Sequence, residues 1–337
     1  MHAAIVWDEA YAEHDTGAHP EGADRVRTVV DHLETTDLWP RLIVSRPVAA
    51  DPSDVLLVHT QAHLDRVRAA AEGGGAWLDA DTHVSPRSFD VALLSAGGAV
   101  TATGLWDDGL VPFALIRPPG HHATRDEAMG FCLFNNVAIA AARLLRDGCE
   151  RVAIIDWDVH HGNGTQDVFY DEGRVLFCSM HQWPLFPGTG SFTECGEGAG
   201  RGRVVNVPLP AGSGDGDYLT TLDEVFLPII DQFEPQALLV SAGMDIHADD
   251  PLGSMLVTDG GFAAMALRLL EAARRHCDGR LAFVLEGGYD RRATATGVEA
   301  VLRAVLDEEA PEIAAAAPRA APAIKRARET QAAFWTL

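Results

Sequence analysis

The chain has 337 residues with 26 basic and 49 acidic side chains, a formal net charge of −23, and 47% apolar residues. This is globular composition, which excludes wholesale disorder. The acid excess argues against a protein that grips phosphate backbones, so no direct nucleic-acid binding is expected. It suits plain solubility or a cationic partner.

The segment Met1–Asp8 has no basic stretch followed by an apolar one, so it does not read as a secretory signal. Along the chain, apolar strand candidates at Ala3–Trp7, Arg41–Val44, Val111–Ile116, Arg151–Asp156, Val175–Ser179, Val204–Val207, Ala237–Ser241 and Leu281–Leu285 interleave with helix candidates. The helices are expected at Arg25–Glu34, Gln61–Glu72, Pro86–Leu105, Asn135–Arg146, Asp217–Gln232, Asp259–His276 and Arg291–Asp307. Strands that are apolar throughout rather than alternating, separated by helices, predict an α/β fold with an open parallel sheet covered on both faces. One domain is expected over residues 1–307, and 308–337 reads as a final helix or a tail. Phe186–Gly202 is glycine-rich and aperiodic, the signature of a long loop, and such loops are often functional. No uninterrupted apolar run approaches the ~18 residues of a membrane span. Five widely spaced cysteines without a C-x-x-C pair suit a reducing compartment, so a cytoplasmic location is expected. The oligomeric state is left open.

Four strand candidates end in polar chemistry, and in open α/β sheets the carboxyl ends of strands are where ligands bind. Arg151–Asp156 runs into Trp157-Asp158-Val159-His160-His161-Gly162-Asn163. There Asp156, Asp158 and His160 recur at period two and share one side if the strand continues. Bare carboxylates at that position are costly unless paired or metal-bound. Ala237–Ser241 leads to Asp245 at the same edge, so Asp158, His160 and Asp245 make a candidate three-ligand site with a position left for water or substrate. Zinc, ferrous iron or another divalent ion suits two carboxylates and an imidazole. Val111–Ile116 ends in Arg117-Pro118-Pro119-Gly120-His121-His122, two adjacent histidines after a rigid turn. Beside Asp156 they read as acid–base groups. Leu281–Leu285 ends in Glu286-Gly287-Gly288-Tyr289-Asp290, where a tyrosine hydroxyl could serve a developing oxyanion.

These blocks, with Gly130-Phe131-Cys132 and Phe186-Pro187-Gly188-Thr189-Gly190, closely resemble the zinc-dependent histone deacetylases, nearest the class II branch and the bacterial histone-deacetylase-like amidohydrolases. The resemblance runs from His19-Pro20-Glu21 to Arg291. It implies an arginase-like sheet of about eight strands and zinc held by Asp158, His160 and Asp245. It implies that His121, paired with Asp156, is the general base, and that His122, paired with Asn163, is the protonated partner for the leaving amine. Tyr289 would hold the carbonyl oxygen. Gly130, Phe131 and Phe186 would wall a narrow acyl tunnel, with Asp81 a rim carboxylate for the substrate backbone. A structural K⁺ would lie near Asp156, Asp158, His160, Ser179 and Met180.

Asn163 stands where class I members have Asp, and Ala23 replaces a proline in His19-Pro20-Glu21-Gly22-Ala23-Asp24-Arg25. The implied activity is metal-dependent removal of an acetyl group from a lysine side-chain amine in a protein or peptide. Three alternatives stay open. One is acetylpolyamine hydrolysis, although Leu252 stands where the polyamine-selective branch places a glutamate. Another is a two-metal ureohydrolase drawing on the carboxylates of Met244–Asp250. The third is a non-catalytic acyl-lysine-binding protein.

Overall fold

The computed structural model describes residues 2–307, 309–311, 313 and 319–337. Eight strands form one sheet: β1 (His2–Val6), β2 (Ile43–Ser45), β3 (Leu110–Ala114), β4 (Val152–Asp156), β5 (Val175–Gln182), β6 (Val204–Leu209), β7 (Ala237–Ala242) and β8 (Leu281–Leu285). Their order is β2-β1-β3-β8-β7-β4-β5-β6. Every neighbouring pair is parallel. Strands β3 to β8 are buried at every residue, which is why they read as continuous apolar runs.

Helices cover the sheet. Ser88–Gly104 packs with Asn136–Arg146, and Asp259–His276 packs with Arg291–Asp307, which also meets Arg25–Glu34. Side-chain caps fix several starts. The Thr60 hydroxyl accepts the His63 N–H at 3.3 Å and the Asn135 carbonyl accepts the Ala138 N–H at 3.1 Å.

The observed strands follow the expected ones, with shifts at their ends. β5 runs on to Gln182, because β6 pairs with it as far as Leu209. The stretch Ser88–Asp108 is long and apolar enough to cross a membrane by length and composition alone. Here it is a core helix: Val91, Ala92, Ala96 and Ala99 are buried, and Ser95 donates to the Pro118 carbonyl at 2.8 Å. Of the stretch set apart at 308–337, residues 308, 312 and 314–318 lie outside the described residues. The rest contains a helix, Ala321–Gln331, against the edge strand β6, where Gln331 Nε2 donates to the Val204 carbonyl at 3.1 Å.

The order places the site. β3, β8, β7 and β4, the four strands with polar ends, are consecutive in the middle of the sheet. Parallel pairing puts all four carboxyl ends at one edge.

Candidate active site

β4 ends at Asp156, so Asp158 and His160 lie in the loop beyond it and not on a continued strand. The loop still gathers them, because the Asp158 carboxylate accepts the His160 N–H at 2.9 Å. Ligand atoms of Asp158, His160 and Asp245 all fall within 4.8 Å of one another. His160 Nδ1 is 3.2 Å from Asp158 Oδ1 and 3.5 Å from Asp245 Oδ2. Asp158 Oδ2 accepts the Gly287 N–H at 2.8 Å, and Asp245 Oδ1 accepts the Val159 N–H at 2.9 Å. A Cβ on Gly287 would lie 2.0 Å from Asp245 Oδ2, so this close approach demands glycine.

The cluster fits a divalent cation. Asp245 Oδ2 is buried and has no hydrogen-bond partner. Burial and the neighbouring Asp158 charge push the Asp245 carboxyl up to about 7. A cation between the two carboxylates removes that cost.

Asp156 is not part of this cluster. It turns to His121, with Oδ2 3.0 Å from Nδ1. His122 Nδ1 pairs instead with Asn163 Oδ1 at 2.8 Å. The adjacent imidazoles therefore have unlike partners, one an anion and one an amide. Burial alone lowers His121, but the Asp158 and Asp156 carboxylates outweigh it and raise it to about 10. Burial and two neighbouring imidazoles, His121 and His160, hold His122 well below the usual range. The resemblance implies the other order, with His121 the base and His122 the protonated partner. Part of the field on His121 comes from Asp158, which a bound cation would neutralise.

Two phenylalanines flank the cluster. Phe186 meets the His122 ring at 5.2 Å and the His160 ring at 6.2 Å between centroids. Phe131 meets the Tyr289 ring edge-on at 5.8 Å. Gly130 lies between them at φ +55, where a Cβ would sit 2.4 Å from the His122 ring. Tyr289 follows Gly287 by two residues, and burial pushes its phenol well above its usual range, so it remains a hydroxyl donor.

Asp81 is half-buried and is not one of the Asp158–His160–Asp245 cluster. Its neighbour Thr82 accepts the Phe131 N–H at 3.1 Å. Burial and Asp79 push the Asp81 carboxyl up. Leu252 is on the loop after Asp245 and is 36% exposed. Ser179 is the register partner of Asp156 on β5, with Met180 next to it.

Residues 19–305 match the histone deacetylase domain family. The chain belongs to the histone deacetylase family. Among its relatives is a probable deacetylase of Archaeoglobus fulgidus, 45% identical over 86% of this chain and 82% of that one. A histone deacetylase-like amidohydrolase of Pseudomonas aeruginosa is 41% identical over 80% of this chain and 72% of that one. The solved HD domain of HDA15 superposes with a TM-score of 0.93 at 34% identity, covering 99% of this chain and 97% of that one. The chain is a hydrolase with the arginase-like α/β fold of its family.

Three residues of this deacetylase-family site went unassigned in the sequence. Glu286, fully buried at the end of β8, accepts the Gly120 N–H at 2.7 Å and the His121 N–H at 3.1 Å, so it fixes the histidine loop. Its signal was the one that flagged Asp156, a carboxylate closing an apolar strand. Arg25 donates to the Gly288 carbonyl and the Glu286 carbonyl, each at 2.8 Å. Its charge is met by Glu21 at 3.1 Å, which also pairs with Arg117 at 2.7 Å. Asp250 spends its carboxylate on the backbone of Tyr289 and Leu252. It is therefore not a bridging ligand of the kind a two-metal site needs.

Proposed function

We propose that this chain is a zinc-dependent deacetylase that hydrolyses the acetylated side-chain amine of lysine in peptides or proteins. The observation that carries the reading is the Asp158–His160–Asp245 cluster beside two imidazoles with unlike partners, flanked by Phe131 and Phe186. A zinc ion held by these three side chains would supply Lewis-acid polarisation of the acyl carbonyl and acidify a water.

The chain's own groups divide the remaining work. An anionic partner favours an imidazolium and an amide partner does not. His122 Nε2 is therefore the position that accepts the water proton, while His121, fixed by Asp156, stays cationic and supports the negative charge that develops. The Tyr289 hydroxyl donates to the carbonyl oxygen as it becomes an oxyanion. Water oxygen bonds to the carbonyl carbon, the C–N bond breaks, and the proton held on His122 goes to the departing amine. Phe131, Gly130 and Phe186 confine the acyl chain and exclude water. Asp81 holds the substrate backbone. A K⁺ ion near Asp156, Asp158, His160, Ser179 and Met180 would brace the loop beneath.

Leu252 favours a peptide substrate, since an apolar residue stands where a polyamine-selective enzyme places a carboxylate. The net charge of −23 favours acetylpolyamines as the second reading. Purified protein should hydrolyse a fluorogenic acetyl-lysine peptide faster than acetylated spermidine or putrescine, and a zinc-chelating hydroxamate should abolish both activities. Faster turnover of the polyamines would reverse the substrate assignment. No hydrolysis of any acyl amide by zinc-loaded protein would revive the binding-protein alternative.

A further inference from the structure

The Gly288–Tyr289 peptide unit is gripped from both sides. Its carbonyl oxygen, on Gly288, accepts from Arg25 Nε at 2.8 Å. Its N–H, on Tyr289, donates to Asp250 Oδ2 at 2.7 Å, and the next N–H, on Asp290, reaches the same oxygen at 3.2 Å. Gly288 has φ +127, a conformation that side-chain-bearing residues rarely adopt, and a Cβ there would meet Thr294 Oγ1 at 2.7 Å. Such a glycine turn has other peptide orientations within reach, and each would turn the Tyr289 N–H and so change the direction in which the Tyr289 side chain leaves the backbone. A cation on the carbonyl and an anion on the N–H select one orientation, with charge-assisted bonds at both ends.

The other oxygen of Asp250 is used as well. Oδ1 accepts the Leu252 N–H at 2.9 Å. One buried carboxylate, 7% exposed, thus ties the loop after β7, which carries the rim residue Leu252, to the loop after β8, which carries Tyr289.

We infer that Asp250 is a positioning residue for the oxyanion donor: it fixes the Gly288–Tyr289 peptide plane and couples the placement of the Leu252 rim to it. The inference rests on the role proposed above for Tyr289. It predicts that substrate contacts at Leu252 are felt at the tyrosine through a single side chain.

Asp250→Asn tests this. An amide has one accepting oxygen, so either the Leu252 or the Tyr289 side is left facing an NH₂ group. A small displacement of a catalytic group costs up to about 100-fold. The variant should lose roughly 10- to 100-fold in kcat, with a smaller change in KM and unchanged zinc content. A merely structural role would also lower activity, so the deciding readout is a cycle with Tyr289→Phe. If Asp250 acts through the tyrosine hydroxyl, adding Asp250→Asn to Tyr289→Phe should cost less than about threefold more. Multiplying losses would overturn the inference. Hydrogen–deuterium exchange of the 286–292 segment gives a second readout that needs no substrate. Faster exchange at the Tyr289 and Asp290 amides is expected, and unchanged exchange would overturn the clamp. If wild-type protein hydrolyses no acyl amide, the proposed function fails while the exchange readout still judges the clamp. Asp250→Glu, which keeps the charge but shifts it by one methylene, replaces the Asn variant should that fail to fold.

Discussion

At the floor of the site Asp156, Asp158, Asp245 and Glu286 are all fully buried, and each accepts a backbone N–H from beyond its own strand. At the proposed rim, Phe186 is 42% exposed and Leu252 36%, and Phe186 meets the His122 ring. The floor is cross-braced: a carboxylate ending β4 or its loop grips the loop after β8, and one ending β8 grips the loop after β3. Removing one floor carboxylate strands a donor in a dry interior, which costs its full desolvation. The Phe186 and Leu252 side chains carry no such bonds, the tie from Asp250 reaching only the Leu252 backbone N–H, so these side chains can change singly. On the proposed reading, reaction class is encoded where substitution is most costly, and substrate choice where it is cheapest.

Substitutions that rank these two regions test the contrast. The largest effect is expected from Asp245→Ala, which removes one of the three proposed cation ligands and leaves Asp158 and His160 to hold the ion. Several kcal/mol of transition-state stabilisation goes with the cation, so turnover should fall by about 10³ or more. Zinc per chain, measured by plasma emission, should fall with it; full zinc with full activity would remove Asp245 from the ligand set. Next comes Tyr289→Phe, expected to lose about 10²–10³ in kcat while keeping its zinc. A variant turning over at the wild-type rate would take the oxyanion role from Tyr289.

Asn163→Asp should act through pH more than through maximal rate. Burial and the neighbouring His121 and His160 hold the His122 pKa low, with the Asp158 charge and the Asn163 amide opposing them; a carboxylate in place of that amide would favour the imidazolium more strongly and raise that pKa. A base must be unprotonated to work, so the acid limb of the kcat/KM profile should move to higher pH. An unmoved limb would return the base role to His121.

Much of the floor was legible because local patterns wrote it. Val152–Asp156 and Leu281–Leu285 are apolar strands that stop at a charge, and each charge is buried against the histidine loop, Asp156 on His121 and Glu286 on the Gly120 and His121 N–H groups. The pairing of His121 with Asp156 follows once two strands deliver them to one edge. Arg25 and Asp250 were not legible in the same way. Arg25 meets the Gly288 carbonyl across 263 residues of sequence, and Asp250 meets the Tyr289 N–H across 39. Both bonds end on backbone, which carries no side-chain signature to read. The period-two argument for Asp158 and His160 reached the right pair for a partly wrong reason, since β4 ends at Asp156 and a loop hydrogen bond makes the cluster. The unlike partners of the two histidines, Asp156 and Asn163, come from the fold, which adjacency in sequence does not supply.

The smallest effect sharpens the rim side of the contrast. Leu252→Glu places a carboxylate at the proposed mouth without disturbing Asp250, because the bond to Asp250 uses the Leu252 backbone N–H and not its side chain. A partly exposed ion pair with a polyamine ammonium is worth about 1 kcal/mol, or roughly fivefold in kcat/KM. Relative to acetyl-lysine peptide, acetylated spermidine should gain by that factor, and the gain should shrink as salt rises. Equal kcat/KM for both substrates, before and after the change, would show that the mouth does not select between them. If kcat on the peptide fell in step with the gain on polyamine, the rim and Tyr289 would be linked more tightly than a single backbone bond allows, and the division between floor and rim would have to be redrawn at Asp250.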